Sequence, residues 1–357
     1  MRLLCLGAGL QGLEVAYLAL KAGWEVTLVD RRKAPPASGL AKTLRVDLAS
    51  LGPFQMAVLC SGYDLIVPAL EDSRLLETLA GARAEGRIPP LALDIGAYRL
   101  SSSKILSKRL FSALGLPQAE AWAPGAKGAF IAKPSCLSGS RGVRFLRDSL
   151  EVLEAFPSPG DRDGLVIEEW LDGPSYSVEV TAVAGQARSF QVTLLGMDDV
   201  YDCCRVTAPS GLSASQERQL KSMAERLAME MSLTGLMDLE AILCRGRFSL
   251  LEIDARFPSQ TPMAVFWSTG VNLLVELAAC FVGLPPGTPR PAMADRPRKV
   301  VFEQVLASAG HVIPQGEHIL SGLGPVTLVE DFMGAREALV SGNPKGGHFA
   351  ATLIRVG

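Results

Sequence analysis

Three acidic residues in two apolar stretches of the sequence have the spacing of a cation site. Glu240 lies in the stretch GLMDLEAIL, and Glu252 and Asp254 lie in LLEIDA. On a β-strand, residues two apart share a face, so Glu252 and Asp254 point the same way, and Glu240 on a neighbouring strand can join them. Clustered carboxylates repel one another unless a cation lies between them, and oxygen ligands beside a phosphate site suit Mg2+. The alternative is the solvent face of an edge hairpin, balanced by nearby arginines.

Two lysines and a flexible loop could hold phosphate groups. Lys104 opens a predicted helix, Lys133 ends a strand-like run, and the small-residue segment SGSRG occupies positions 138–142. Backbone N–H groups of such a loop can close over phosphate oxygens, while lysines from two elements neutralise the phosphate charge. The alternative is an ordinary hairpin loop without a ligand.

The chain opens with another phosphate-binding pattern, GAGLQG at positions 7–12, between a predicted strand and a predicted helix. Asp30 ends the next strand, where an acidic residue that holds a ribose would lie. Alone, this pattern indicates an NAD(P)-dependent oxidoreductase of the amino-acid-dehydrogenase kind. It is equally typical of a tight turn in a doubly wound domain that binds something else or nothing.

The bulk composition favours a cytoplasmic enzyme that acts on small molecules. The net charge of −2 gives no reason to expect nucleic acid or an anionic membrane as a partner. The seven cysteines form no C-x-x-C pair, which argues against disulfides and zinc and indicates a reducing cytoplasm. No apolar run is long enough to span a bilayer.

We expect surface or core roles for the three histidines, His311, His318 and His348, because none lies near the motifs.

The elements that must position these residues form an α/β chain of three predicted domains. Alternating strand and helix patterns over residues 1–98, with a last strand at Leu91–Asp94, predict a small parallel-sheet domain of the Rossmann type. Residues 99–288 are typical of strands and hairpins, with one long helix at 216–231. Five prolines between positions 285 and 297 predict a stiff connection to a C-terminal domain, residues 289–357.

In combination, these segments resemble the ATP-grasp ligases. The hallmarks of that family are a lysine-bearing helix that ends in Gly-x-Pro, a small-residue phosphate loop, an adenine-binding hinge and an acidic pair on the final strand. All occur here in order, as KILSK before GLP within 104–117, Lys133 with the 138–142 loop, VIEEWL at 166–171, and Glu240, Glu252 and Asp254. The resemblance implies an ATP-grasp fold with an N-terminal Rossmann-like domain and a small C-terminal domain, and it implies ATP and Mg2+ as cofactors.

The resemblance also implies which residues hold the nucleotide and the metal. The metal ligands would be Glu240, Glu252 and Asp254. The ATP contacts would come from Lys104, Lys133, Ser138, Gly139, Ser140, Glu168, Glu169, Trp170 and Leu171. In the family a glutamate often follows the hinge and holds the ribose, but Pro174 and Ser175 stand in its place here. Asp30 and Asp47 are expected to take over part of that role.

A narrower resemblance covers nearly the whole chain, in the segments GLQG-x-E, YDC, GLMDLEAI, EIDARFPSQTP, STGVNLLVEL and VFEQVL. These segments are similar to the ATP-grasp ligases of pyrrolysine biosynthesis, which join 3-methyl-D-ornithine through its carboxylate to the ε-amine of L-lysine. By that likeness, lysine would be bound by Leu10, Gln11, Glu71 and Glu303. The methylornithine, or D-ornithine in its place, would be bound by Glu179, Tyr201, Asp202, Arg256, Ser259, Gln260 and Thr261.

The resemblance implies that the substrate carboxylate is activated as an acyl phosphate. Lys133 would fix the phosphates, Arg256 would stabilise the oxyanion that forms when the amine attacks, and the 138–142 loop would act as a lid. A homodimer is expected because many relatives pair in this way. Besides the oxidoreductase, two alternatives stay open, namely an ATP-grasp-like nucleotide sensor without turnover and a ligase with another amine acceptor.

Overall fold

The computed structural model describes residues 1–291, 296–322 and 324–357. The N-terminal part consists of β1 (Arg2–Leu6), α1 (Leu10–Lys21), β2 (Glu25–Asp30), β3 (Lys42–Arg45), α2 (Pro53–Cys60), β4 (Leu65–Pro68), α3 (Ser73–Ala84) and α4 (Ile95–Ser101). The four strands form a parallel sheet in the order β3-β2-β1-β4. The neighbouring strands β1 and β4 are short runs of mostly buried residues, as expected for a parallel sheet with both faces covered.

The prediction of a strand at Leu91–Asp94 is wrong. Only Leu91 forms a bridge, with Ile66 of β4. Asp94 instead caps α4, because its carboxylate accepts a hydrogen bond of 3.0 Å from the backbone N–H of Ala97. A short apolar run does not by itself distinguish a strand from the approach to a helix.

A small antiparallel sheet carries the groups predicted to bind phosphate. Its elements are α5 (Lys104–Ala113), β5 (Phe130–Pro134), β6 (Arg144–Leu146), α6 (Ser149–Ala155) and β7 (Leu165–Glu169). The strand order is β6-β5-β7. The helix α5 begins where predicted, because the Ser103 hydroxyl accepts a hydrogen bond from the backbone N–H of Leu106. The 138–142 loop lies between β5 and β6.

The remaining strands form one large, mainly antiparallel sheet. Its elements are β8 (Ser175–Val183), β9 (Gln186–Met197), β10 (Cys203–Ala208), α7 (Ala214–Glu230), β11 (Gly235–Cys244), β12 (Arg247–Asp254), α8 (Thr261–Thr269), α9 (Leu273–Ala279), β13 (Val300–Ser308), β14 (His311–Pro314), α10 (His318–Ser321), β15 (Thr327–Phe332), β16 (Ala335–Asn343) and β17 (His348–Val356). The order is β12-β11-β8-β9-β10-β13-β17-β16-β15, with β14 paired to β13. The C-terminal strands therefore extend the sheet that carries the acidic motifs, through the β10–β13 pair.

One buried apolar cluster joins all three predicted domains. It includes Val15 of α1, Leu274 of α9 and Phe302 of β13. The domain boundaries at 98 and 288 stay predictions, and this cluster crosses both of them. The predicted proline-rich connection includes residues 292–295, which lie outside the described residues.

Among the described residues, no single helix is long and apolar enough to cross a bilayer. The helices α8 and α9 reach the necessary length and composition only as a pair, and they meet at an angle of 100°.

Two glycines that both lie inside helices should respond in opposite ways to alanine. A Cβ atom on Gly12 of α1 would lie 2.2 Å from the carbonyl oxygen of Gly7, whereas a Cβ atom on Gly81 of α3 would meet nothing within 4 Å. Gly12→Ala should therefore destabilise the protein by about 1–3 kcal/mol through overpacking. Gly81→Ala should stabilise it by about 0.5–1 kcal/mol, because alanine loses less backbone entropy in a helix.

Urea unfolding followed by circular dichroism would measure both free energies. Equal effects of the two substitutions would contradict the close approach of α1 to the turn after β1.

Candidate nucleotide and substrate site

A cavity of about 340 Å³ lies between the small sheet and the β11–β12 edge of the large sheet. One end is apolar, where Ile131, Leu171 and Met197 contribute to its wall. Trp170 packs there between two aromatic rings, 5.2 Å from Phe145 and 5.4 Å from Tyr201 between ring centroids. The other end is charged, and its lining includes Lys104, Lys133, Glu240 and Glu252. A flat apolar base at one end and phosphates at the other would match this gradient.

The structure brings together every residue predicted to contact adenine or phosphate. It does not bring Asp30 and Asp47, which were predicted to hold the ribose, to the same place. The cavity lining includes Lys104, Lys133, Ser138, Gly139, Ser140, Glu168, Glu169, Trp170 and Leu171. Within it, the buried carboxylate of Glu168 accepts a hydrogen bond of 2.8 Å from the ammonium of Lys133 and lies 2.6 Å from that of Lys108. Burial opposes ionisation of Glu168, but these two lysines hold its pKa below the usual range. The lysines are therefore fixed in position by one ionised carboxylate.

The 138–142 loop is held across the charged end of the cavity. The ammonium of Lys104 donates a hydrogen bond of 2.9 Å to the carbonyl of Leu137, just before the loop. Within the loop, the Ser138 hydroxyl donates to Glu71 of the N-terminal part, and the Ser140 hydroxyl donates to the carbonyl of Tyr201. The loop thus connects to both walls of the cleft, as a closed lid would.

The predicted acidic cluster forms, and it contains a fourth member. Glu240 pairs with Glu252 across β11 and β12, and Asp238 pairs with Asp254 in the same register. All four carboxylates therefore lie on one face, and they line the cleft although β12 is an edge strand. The solvent-exposed hairpin considered from the sequence is thus not what forms.

The charges around this cluster are only partly balanced by protein groups. Lys104 lies 2.7 Å from Glu252, and Arg256 lies 2.9 Å from Asp254. Burial and the neighbouring carboxylates raise the pKa values of Asp238, Glu240 and Asp254. Burial also opposes ionisation of Glu252, but Lys104 holds the pKa of this carboxyl below its usual range. Carboxylate oxygens whose charge is only partly balanced suit Mg2+, and Glu240, Glu252 and Asp254 are the residues that would hold it.

A second chamber of about 140 Å³ opens beside these carboxylates. Its lining includes Tyr201, Asp202, Arg256, Ser259, Gln260 and Thr261, all predicted to bind the carboxylate substrate. Glu179 lies next to it on β8, opposite Asp238 of β11, and burial raises the pKa of Glu179 to about 7.

Several buried polar atoms at this chamber have no hydrogen bond of normal geometry among the described residues. They are Ser177 Oγ, both carboxylate oxygens of Glu179, Asp238 Oδ1, Gln260 Oε1 and Glu317 Oε2. A buried polar atom without a partner is unfavourable, so this group indicates a site for a polar ligand.

Arg256 and Glu71 connect this chamber to the N-terminal part. The guanidinium of Arg256 lies 3.0 Å from Glu71, and Glu71 also accepts a hydrogen bond of 3.3 Å from Gln11. Leu10 lies nearby, in the wall of a small space that also borders Gln260. Three of the four residues predicted to bind lysine therefore lie at one side of the cleft.

Three predicted site residues lie elsewhere. Asp30 accepts hydrogen bonds from the backbone N–H of Ala8 and from the guanidinium of Arg32. Asp47 caps a short turn through the N–H of Ala49. Glu303 forms ion pairs with Arg205 and, at 2.7 Å, with Arg355. None of the three lines either cavity, so their roles in ribose and lysine binding stay predictions without support from this geometry.

The sequence interpretation missed four residues at the site. Asp238 could have been found, because it lies two positions before Glu240 and so shares its face on a strand. Lys108 belongs to the KILSK segment of the family resemblance but was assigned no contact, and Glu317 gave no signal of a role. The expectation that no histidine lies near the motifs was wrong, since the His318 ring contacts the carboxylate of Asp202. The loop before α10 brings this histidine to the β9–β10 hairpin, across a separation of 116 residues.

The fold and the site define a class of protein. A family model described as ATP-grasp domain matches residues 101–260. An ADP complex of PurK, N5-carboxyaminoimidazole ribonucleotide synthetase, superposes with a TM-score of 0.71 over 99% of this chain and 92% of that one, at 17% identity. The arrangement is that of an ATP-dependent carboxylate–amine ligase, a class that uses ATP and Mg2+.

The relatives narrow the assignment within this class. The chain is 33% identical to the 3-methyl-D-ornithine--L-lysine ligase of Methanosarcina mazei, over 90% of this chain and 82% of the relative. It is 34% identical to the enzyme of the same name from Methanosarcina acetivorans, over 90% of this chain and 84% of the relative. The chain belongs to this family of ATP-grasp ligases. The oxidoreductase suggested by the GAGLQG turn is thereby set aside.

Binding of MgADP should release protons at neutral pH. Burial and the nearby Glu252 and Asp254 raise the pKa of Glu240 to about 8, so this group is largely protonated at pH 7 before a cation binds. A cation favours the ionised carboxylate, and MgADP affinity should therefore rise with pH up to about 8. Isothermal titration calorimetry at pH 7 in Tris and in phosphate would show the release as a difference in binding heat.

The variant Glu240→Gln keeps the shape of the side chain but removes the titrating group. Its binding heats in the two buffers should therefore differ less than those of the wild-type protein. Identical heats for the wild-type protein in both buffers would contradict the raised pKa.

Proposed function

We propose that this protein joins (3R)-3-methyl-D-ornithine, through its carboxylate, to the ε-amine of L-lysine, with ATP converted to ADP and phosphate, as a step of pyrrolysine biosynthesis. The observation that carries the proposal is the composition of the second chamber. Among the described residues, its lining has six carboxylates, those of Asp202, Asp238, Glu240, Glu252, Asp254 and Glu317, and a single arginine, Arg256. Even with a cation on the metal ligands, acidic groups remain that suit a substrate carrying two ammonium groups.

The first half of the reaction takes place where the two cavities meet. The ornithine carboxylate attacks the γ-phosphate of ATP in line, the bond to the bridging oxygen breaks, and ADP leaves as the carboxylate becomes an acyl phosphate. Lys133 and the N–H groups of the 138–142 loop hold the phosphates, and Lys104 adds positive charge beside them. Glu240, Glu252 and Asp254 would hold Mg2+, which would supply further neutralisation of the phosphate charge.

The second half replaces the phosphate by an amine. The neutral ε-amine of lysine attacks the acyl carbon, Arg256 stabilises the oxyanion, and inorganic phosphate leaves to give an isopeptide bond. No covalent bond to the enzyme is needed. The closed loop excludes water, which would otherwise hydrolyse the acyl phosphate.

Recognition of the two amino acids relies on charge. Glu179, Asp238 and Glu317 hold the ammonium groups of the ornithine, since each has a buried oxygen without a hydrogen bond of normal geometry among the described residues. Glu71, with Gln11 and Leu10, holds the lysine; in the present arrangement its carboxylate accepts hydrogen bonds from Gln11 and Ser138. A bound ammonium group would replace one of these contacts. The homodimer, the cytoplasmic location and the lack of nucleic-acid and membrane partners stay predictions from the sequence.

Product formation should require both amino acids. Purified protein with ATP and Mg2+ would be given D-ornithine, L-lysine, both, or neither, and the released ADP would be measured. ADP release that depends on both, together with the mass of ornithyl-lysine, is the expected result, and 3-methyl-D-ornithine should be used more efficiently. Coupling of D-ornithine to a different amino acid in preference to lysine would support another amine acceptor and contradict the proposed substrate pair.

Glu252→Ala should reduce kcat by about 10³-fold or more, because loss of a metal ligand removes several kcal/mol of transition-state stabilisation. Initial rates of ADP release with both amino acids would measure the loss. Glu230→Ala, at the exposed end of α7, is a matched control that should leave the rate unchanged. Turnover by the Glu252 variant at the wild-type rate would refute its role as a metal ligand.

A further inference from the structure

Glu14 has no role in the proposed reaction, but it makes an unusual long-range contact. It lies on α1 and its side chain is only 2% exposed. Its two carboxylate oxygens accept hydrogen bonds from the backbone N–H groups of Gln260, at 2.8 Å, and of Met263, at 3.1 Å. These partners lie 246 and 249 residues further along the chain. The contact therefore ties the turn after β1 to the segment that lines the substrate chamber.

The N-terminus of α8 needs a hydrogen-bond acceptor from another part of the chain. Gln260 precedes the helix with φ 70° and ψ −51°, a positive-φ conformation that residues other than glycine rarely adopt. It makes no side-chain cap of its own, and Pro262 in the first turn has no N–H group. The carboxyl group of Glu14 takes the place of a cap residue at the N-terminus of this nine-residue helix.

The backbone held by Glu14 determines where two substrate-site side chains point. Gln260 and Thr261 both line the second chamber, and the Oε1 atom of Gln260 is buried there without a hydrogen bond. If the backbone of Gln260 relaxed to an ordinary negative φ, both side chains would turn away from their present directions. The strained conformation persists only while its surroundings hold it.

We propose that Glu14 is a positioning residue: it holds the Gln260 backbone so that Gln260 and Thr261 face the carboxylate substrate. The GAGLQG turn and the start of α1, which resemble a dinucleotide site, thus serve to carry Glu14 to the substrate loop. The inference rests on the proposed function for the identity of the ligand, but the contact with the loop does not depend on that function.

The test is the isosteric substitution Glu14→Gln, which leaves one atom that can accept a hydrogen bond where two are needed. The KM for D-ornithine should rise by roughly tenfold, as expected when a buried N–H group loses its hydrogen-bond acceptor, while the KM for ATP stays within twofold. Glu276→Gln is the matched control, because Glu276 is also buried, at 4% exposure, but pairs with Arg188 and Arg290 away from the cleft. It should lower the melting temperature without changing either KM.

Hydrogen–deuterium exchange gives a readout that does not require turnover. The backbone amides of residues 258–264 should exchange faster in Glu14→Gln than in the wild-type protein and in Glu276→Gln. The proposal requires both faster exchange and a raised KM; faster exchange with an unchanged KM for D-ornithine, or a raised KM with unchanged exchange, would overturn it. A wild-type protein that turned over no ornithine would refute the proposed function, and the exchange rates would still decide whether Glu14 holds the loop.

Discussion

Four carboxylates on two neighbouring strands create the electrostatic constraint on which the rest of the cleft depends. Asp238 and Glu240 on β11 lie opposite Asp254 and Glu252 on β12, so their mutual repulsion acts across adjacent strands. Strand pairing alone cannot relieve it, and the positive charges must come from other elements. Lys104 reaches the cluster from α5, and Arg256 reaches it from the end of β12. The helix and the loop that form the nucleotide cavity are thus arranged around the need for positive charge.

The same counter-charges connect the cluster to the lid. Lys104 contacts Glu252 and also donates to the carbonyl of Leu137, next to the 138–142 loop. Arg256 contacts Asp254 and also Glu71, which accepts a hydrogen bond from Ser138. Any cation or phosphate that changes the charge at the cluster will therefore change the contacts that hold the loop. Charge neutralisation and loop position are one coupled equilibrium in this cleft.

Local patterns predicted the elements and the acidic motif well, because both depend on periodicity along the chain. The strand alternation placed Glu240, Glu252 and Asp254 on one face, and the same rule applied one step earlier would have added Asp238. The strand predicted at Leu91–Asp94 failed because a short apolar run also precedes a capped helix. Long-range contacts such as those of Glu317, His318 and Glu14 had no local signal. The positions of Asp30 and Glu303 beside arginines likewise depend on tertiary packing that no motif encodes.

The continuous pairing of β10 with β13 has a consequence for biosynthesis of the chain. β10 is complete at Ala208, but its partner begins at Val300, so a ribosome must add the whole β11–β12 hairpin and the helices α7, α8 and α9 before that edge is covered. Until then the nascent chain presents an unpaired strand edge with buried-type residues such as Val206. Exposed edges of this kind pair readily with other chains. Synthesis of residues 209–299, between the two strands, is therefore the period in which a chaperone that shields this edge would matter most.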